Sequence, residues 1–594
     1  MAHEGLVTRT AQGAVAVLAL NRPPVNALNA EVLAALEAAL DAVSADPEVR
    51  AVVLTAEGTH FSPGLDVSEL GRVQGAALPR AVARIEAMAK PVVACLQGNA
   101  LGGAAELVLA CHARVAHEGA RFGLPEVALG LLPVAGSTQR LPRLVGAPVA
   151  LKLLTEGSPI RAVEALAMGL FDAVTDSRPL PRAVALALEV AEKPLVKTTE
   201  RRDGLRDPIA FQSAIAEARK AHDGWRLPAP GALIDCVEAS QLLPYDMGLG
   251  FEQSQAEAMA ETPEAMGLRH AFLAEKRALL PPAALTRIAP QALATVTVLG
   301  TGGLVPDVVR MALQAGMKLR LVGADRASLT EALQKIAARQ EALVAEGRLS
   351  AEAREADWAR LTGTVVVESE TPADLVLLAP DAPRLAEMPR DVVGLGGRGV
   401  LVLNPAPMAG GLAQLAIGPG VPLDRQALAL AFGRKLGWKV LVQGPGAALD
   451  QRLRQVLSRA IAALEETGTD RAQIAATLAS YGLGAGARPK LPPPPAGAAP
   501  VLAFCLAAVM NEAARIVSES AARRPSDVDA AAVLTGLFPR WEGGPLFQAD
   551  RIGAMALRAD LRKRAETQPQ LFTPAPVFDL LLADGETFAD LNRP

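Results

Sequence analysis

Uninterrupted apolar runs alternate with amphipathic stretches through the first third of the chain. Ala14-Val-Ala-Val-Leu-Ala-Leu20 has no polar position and reads as a strand. Asn29 to Val43 carries apolar residues at helical spacing, with Asn29 placed to cap the first turn. Ala51-Val-Val-Leu-Thr55 and Pro91-Val-Val-Ala-Cys95 have the composition of strands buried on both faces. This alternation predicts an α/β domain over residues 1–190. Residues 191–290 read as a helical linker, broken at Pro208, Pro228 and Pro230. A second α/β unit opens at Ala294-Thr-Val-Thr-Val-Leu-Gly300 and is expected over 291–425, with helical regions at 426–490 and 501–594. Between the last two, Leu491-Pro-Pro-Pro-Pro-Ala-Gly-Ala-Ala-Pro500 reads as a stiff linker. No short-period repeat is visible.

At 594 residues the chain exceeds what one core can hold, so three to five domains are expected. The net charge of −4 gives no basic footprint for nucleic acid. Cys95, Cys111, Cys236 and Cys505 are scattered, without a CxxC pair or metal spacing, which suggests reduced thiols and no bound metal. The opening Met-Ala-His-Glu-Gly-Leu-Val lacks the layout of a secretory signal. No uninterrupted apolar run of eighteen residues is present, so no membrane span is expected. The final Leu-Asn-Arg-Pro is not a peroxisomal address. With the abundance of Ala, Arg, Leu and Pro, these features give a bacterial, cytoplasmic protein as the expectation.

Two carboxylates stand out against this background. Glu106 lies inside Leu101-Gly-Gly-Ala-Ala-Glu-Leu-Val-Leu-Ala-Cys111, and Glu126 is the only charge in Gly123-Leu-Pro-Glu-Val-Ala-Leu-Gly-Leu-Leu-Pro133. An isolated Glu in an apolar helix can be solvated or paired with an Arg, and Glu126 could be a charge at a helix N-terminus. Pro125 suits the first helical position, which would put Glu126 in the first turn. Apolar walls raise a carboxyl pKa and a helix N-terminus lowers it, so the two can be held in different protonation states.

The order of several segments resembles the crotonase (enoyl-CoA hydratase/isomerase) family. They are Asn21-Arg-Pro-Pro-Val-Asn-Ala-Leu-Asn29, Phe61-Ser-Pro-Gly-Leu-Asp66, Gly98-Asn-Ala-Leu-Gly-Gly-Ala-Ala-Glu106, Gly123-Leu-Pro-Glu126 and Gly136-Ser-Thr-Gln-Arg-Leu-Pro-Arg143. The resemblance implies a ββα-spiral crotonase domain that hydrates 2-enoyl-CoA thioesters and needs no cofactor. It implies an oxyanion hole from the backbone N–H groups of Leu65 and Gly103, with Glu106 acting mainly on water and Glu126 on Cα. Ala104 stands where many relatives have a third glycine. Coenzyme A would lie across Arg22, Ala27, Leu28 and Asp66, and the region Glu69–Met88, with Val73, Ala76, Ala77 and Leu78, would line the acyl pocket. His112 and His117 follow the helix at a strand-like position and read as structural. Hydratases of this family use two glutamates and pure isomerases typically one. The pair therefore favours hydration, with double-bond isomerisation and non-catalytic acyl-CoA binding as alternatives.

The rest of the chain resembles the multifunctional fatty-oxidation enzymes, in which a crotonase half is fused to an NAD-dependent 3-hydroxyacyl-CoA dehydrogenase. The carrying segments are Tyr245-Asp-Met-Gly-Leu-Gly-Phe-Glu252, Arg269-His-Ala-Phe-Leu-Ala-Glu-Lys-Arg277, Asn511-Glu-Ala-Ala-Arg515 and Phe538-Pro-Arg-Trp-Glu-Gly-Gly-Pro545. The implied architecture is α/β multidomain: crotonase domain, helical linker, Rossmann-like domain and two C-terminal all-helical domains. A thiolase or a second copy of the chain would be the macromolecular partner. The nucleotide fingerprint is incomplete. Gly300-Thr-Gly302 survives, but Val305 holds the third glycine position, and Gly323 stands where an acid should meet the ribose, with Asp325 two residues on. The family's catalytic histidine would fall at Leu401, its orienting acid near Ala413 or Gln414, and its asparagine at Asp450, while the serine-bearing segment before residue 395 is shortened. All six histidines lie at or before His270. NAD binding is therefore doubtful and the second half reads as catalytically silent, with a working bifunctional enzyme as the alternative.

Overall fold

A computed structural model describes residues 5–66, 69–70, 77–289, 292–366, 373–382, 393–396, 401–408, 410–484 and 490–593. The chain divides into two units, Met1–Arg269 and His270–Pro594.

The first unit is built on a six-stranded sheet of order β1-β2-β3-β4-β6-β9. These strands are β1 (Val7–Gln12), β2 (Val15–Leu20), β3 (Ala51–Ala56), β4 (Val92–Leu96), β6 (Ala113–His117) and β9 (Ala173–Thr175). Only β1 runs antiparallel to its neighbour. A small second sheet joins β5 (Ala100–Leu101), β7 (Arg121–Gly123) and β8 (Ile160–Arg161). Every residue of β2 is buried because both faces of the main sheet are covered. Ala16, Leu18 and Leu20 enter a large core with α1 (Ala30–Ala45), α2 (Ala77–Glu86) and α3 (Gly103–Ala110). Val15 and Val17 face the other way, toward Ala183 and Ala187. The Asn29 side chain accepts from Val32 N at 3.0 Å and caps α1 as expected. The strand β1 was not foreseen: its residues are half-buried or exposed, so they lack the apolar run that marks its neighbours.

The long helix α4 (Ser137–Glu156) packs against helices that the sequence assigned to a separate linker. After α5 (Ala162–Ala167) and α6 (Leu180–Ala191) come α7 (Pro208–His222), α8 (Ala229–Leu242), α9 (Tyr245–Ala260) and α10 (Pro263–Ala278). Phe211, Ile215, Leu233, Ile234 and Val237 belong to the same core as β2 and α3, so the crotonase-like unit extends well past residue 190. The prolines open these helices (Pro208 at the start of α7, Pro228 just before α8) more than they separate domains.

The second unit carries an eight-stranded sheet of order β12-β11-β10-β13-β14-β15-β16-β17. The strands are β10 (Thr295–Leu299), β11 (Lys318–Val322), β12 (Leu361–Thr364), β13 (Leu375–Leu378), β14 (Val393–Leu395), β15 (Leu401–Asn404), β16 (Leu412–Ile417) and β17 (Lys439–Gln443). The last strand pairs parallel to β16, so this α/β unit runs beyond the expected end at 425. The helical remainder has one hydrophobic core instead of two, with Leu453, Val456, Ile474, Val509, Phe538 and Phe578 in a single cluster. Its helix Ala498–Ser518 is long and apolar enough, by length and composition, to cross a membrane, but 61% of that stretch is buried within the protein.

Candidate active site

Two backbone turns meet at the start of α3. Leu28 N donates to Gly64 O and Asp66 N to Leu28 O, a pattern that turns the Leu65 N–H away from Leu28. Gly64, at φ +96°, lies so close to the next turn that a Cβ there would sit 2.6 Å from Leu101 O and 3.3 Å from Gly103 N. Gly103 is the first residue of α3, where the helix has no use for the N–H. The two N–H groups that the sequence paired are thus on adjoining turns.

Glu106 sits in the first turn of α3, a helix buried at all eight positions. Its carboxylate accepts from Ala135 N at 2.9 Å and Val134 N at 3.3 Å. Burial pushes its pKa up, and the two amides oppose that shift. Glu126 lies in a single 3₁₀ turn, Pro125–Leu129, with Pro125 at its start. The residue as a whole is half-buried, but its Oε2 is out of water and has no hydrogen-bond partner. The other oxygen, Oε1, is 3.2 Å from where a Cβ on Gly102 would be, next to Gly103. Burial first, then the charge of Glu106, pushes the Glu126 pKa up to about 8. The two lone carboxylates of the sequence therefore share one buried site with different solvation: one accepts from two amides of a neighbouring turn, the other leaves an oxygen unpartnered.

Arg22 pairs with Asp66 at 2.8 Å and donates to Ala27 O at 3.0 Å, so the residues expected at coenzyme A are gathered on one loop pair with Leu28. Leu78 is buried, and its side chain lies 2.8 Å from a hypothetical Cβ on Gly103, which puts α2 beside the site. Ala77 opens α2, while Val73 and Ala76 lie outside the described residues. His112 Nδ1 accepts from Val92 N at 3.0 Å, and His117 Nδ1 from Gly119 N at 3.0 Å, so both stitch backbone.

Glu252, on α9, is a third buried carboxylate at the same turn, and it was not among the residues expected at the site. It accepts from Gly136 N at 2.6 Å, Thr138 N at 2.9 Å and Thr138 Oγ1 at 2.6 Å. The only sequence signal was its place in the segment that resembles the linker helix.

In the second unit, Gly300 (φ +99°) and Gly302 form the turn after β10. Asp381 fills the concave side of this turn. Its Oδ2 accepts from Thr301 N at 3.1 Å, and its carboxyl carbon is 2.8 Å from a hypothetical Cβ on Gly302. The cavity at the turn, beside Val305, Val308, Pro380 and Pro405, measures about 210 Å³. Asp325 caps the helix Arg326–Ala345 by accepting from Ser328 N at 2.8 Å. Leu401 is buried in β15. Gln414 donates to Asp450 at 2.6 Å and accepts from Leu449 N at 2.7 Å, which closes both positions on each other. Most of the segment before residue 395 lies outside the described residues.

Residues 10–218 match the enoyl-CoA hydratase/isomerase family, and residues 295–379 match the NAD binding domain of 3-hydroxyacyl-CoA dehydrogenase. The chain is 37% identical over 347 residues to a peroxisomal bifunctional enzyme of Danio rerio, covering 57% of this chain and 47% of that one. It is 31% identical over 382 residues to a peroxisomal fatty acid beta-oxidation multifunctional protein of Arabidopsis thaliana, covering 61% and 53%. A probable enoyl-CoA hydratase of Bacillus subtilis is 42% identical over 189 residues, 30% of this chain and 73% of that one. The chain spans about half the length of the multifunctional relatives it matches. The expectation of a bacterial, cytoplasmic setting is overturned: the multifunctional relatives are peroxisomal or glyoxysomal enzymes of eukaryotes. By its match over residues 10–218, and by its identity to a relative it covers over most of its length, the chain belongs to the enoyl-CoA hydratase/isomerase family.

Proposed function

We propose that the first unit hydrates 2-enoyl-CoA thioesters to 3-hydroxyacyl-CoA, in reactions of the fatty acid beta-oxidation type. The observation that carries this reading is the pair of buried carboxyls, differently solvated, beside the Gly102–Gly103 turn. Glu106, whose charged form two amides favour against the burial that raises its pKa, takes a proton from water as the water oxygen bonds to Cβ. The C=C electron pair moves toward the thioester carbonyl, whose oxygen receives the N–H groups of Leu65 and Gly103. Each such donor contributes roughly 3–4 kcal/mol when it is aimed at the developing oxyanion. The neutral carboxyl of Glu126 then protonates Cα. The two acids end with exchanged protonation states, and proton exchange with solvent resets them. Arg22, Ala27, Leu28 and Asp66 hold coenzyme A at the neighbouring loops. Isomerisation needs only one proton carrier and leaves the two amides on Glu106 without a purpose.

In this reading the second unit transfers no hydride and does not take NAD. The glycine turn offers its N–H to Asp381, an internal anion, where a pyrophosphate would need it. A cavity of about 210 Å³ is small against the roughly 300–1,000 Å³ usual for ligand sites. No histidine follows His270, and Gln414 and Asp450 satisfy each other.

The direct test is Glu106→Gln and Glu126→Gln, each assayed for crotonyl-CoA hydration with the fold checked by circular dichroism. Each is expected to lose about 10²- to 10⁴-fold in kcat. Full activity in either variant rejects the mechanism.

A further inference from the structure

The segment Val134–Thr138 divides its amides between two buried carboxylates on different helices. Val134 N and Ala135 N go to Glu106 on α3. Gly136 N and Thr138 N go to Glu252 on α9. No bond in this segment links the two acids directly. Whatever fixes Gly136 and Thr138 therefore also fixes, one peptide away, the donors that aim Glu106.

We infer that Glu252 is a positioning residue for the hydration reaction: from α9 it anchors the turn whose amides orient Glu106. This inference rests on Glu106 being the group that takes the proton from water. The anchoring is braced on the other side of the turn. Arg140 donates to Ala135 O at 2.5 Å and to Glu86 at 2.7 Å, and Glu86 in turn accepts from Thr199 N at 2.9 Å. The Tyr245 ring, two turns from Glu252 along the same face of α9, lies 5.2 Å from the Arg140 guanidinium carbon and 5.5 Å from that of Arg143. Gly136 has φ +95°, and a Cβ there would run into the Arg140 guanidinium and the Tyr245 hydroxyl. The turn thus has little freedom except through its two acid anchors.

Taking a carboxylate out of water without a cation is costly, and among the described residues Glu252 has no ion pair. Three donors converge on it instead, which offsets part of that cost. The charged and titratable groups facing it are Glu106 on α3, Glu126, Arg140 on α4, Cys236 on α8 and Tyr245 on α9. None of these donates to it. Its hold on the turn is therefore through the backbone and Thr138 alone.

The test is a double-mutant cycle on the full chain with crotonyl-CoA, using Glu252→Ala and Glu106→Gln singly and together. Loosening Glu106 by a fraction of an ångström to 1 Å is expected to lower kcat about tenfold to a hundredfold. KM should stay within about twofold, because Glu252 anchors Gly136 and Thr138 while the coenzyme A loops are held through Arg22, Ala27 and Asp66. In the Glu106→Gln background, adding Glu252→Ala should cost less than about twofold, since there is no base left to misplace. Equal fold-losses in both backgrounds, a raised KM with unchanged kcat, or no loss would each overturn the inference. Glu252→Gln and Thr138→Val carry the same cycle if Glu252→Ala does not fold, with the same criteria. Full activity in Glu106→Gln alone would instead sink the hydration mechanism, whatever Glu252 does.

Discussion

At the scale of single residues, the contrast between Glu106 and Glu126 is one of hydrogen bonding more than of burial. Both are out of water, yet Glu106 accepts from the amides of Val134 and Ala135, whereas Glu126 has one oxygen, Oε2, with no partner at all. Glu126 therefore prefers its proton, with a pKa of about 8 against an ordinary 4.5. The folded state then binds a proton that the unfolded state has released. The stability from this group is complete below about 4.5 and is lost as pH rises through about 8. Glu126→Gln mimics the protonated form at every pH. The melting transition of the first unit should match that of the variant near pH 4, and fall below it progressively from about pH 5 to 8. Parallel curves for the two proteins across that range would show that Glu126 does not carry the raised pKa. The two glutamates were legible in the sequence because each is a lone charge in an apolar run. Glu252 was not: it opens a stretch, Glu252-Gln-Ser-Gln-Ala-Glu257, in which acids and amides are common and one more carboxylate gives no contrast.

At the scale of elements, the strands that face two cores were readable from composition alone, since burial on both faces demands an unbroken apolar run. The largely exposed β1 was not, because edge positions tolerate polar residues, and β17, though buried at four of five positions, has an apolar run of only Val440–Val442. The helices α7 to α9 were recognised as helices but assigned to a linker. An amphipathic stripe says that a face is buried, but not against what. Here that face joins the core of the first unit, with Leu233 on α8 fully buried. Leu233→Ala should therefore destabilise the hydratase unit itself by about 2–5 kcal/mol. The measurement is the denaturant midpoint for loss of hydration activity. An unchanged midpoint would mean that α8 is a passive connector after all.

At the scale of the whole molecule, an active-looking unit and a dinucleotide-type sheet share one chain. The missing histidine was visible by counting, and no structure was needed to see that residues beyond 270 lack one. What the sequence could not disclose is the position of Asp381, about 80 residues from the turn it fills; the strand β13 brings it there by pairing parallel with β10. A carboxylate at that point repels phosphates as well as occupying their donor. Titrating the full chain with NADH should therefore give no saturable change in fluorescence, and incubation with NAD and 3-hydroxybutyryl-CoA should produce no NADH while crotonyl-CoA is hydrated normally. Asp381→Ala separates the two causes. If the carboxylate alone blocks the turn, this variant gains NADH binding yet still transfers no hydride, because Leu401, at the position of the family's histidine, cannot accept the carbinol proton. Hydride transfer by the unaltered protein would reject the silent reading outright, and it would require a base that is not an imidazole.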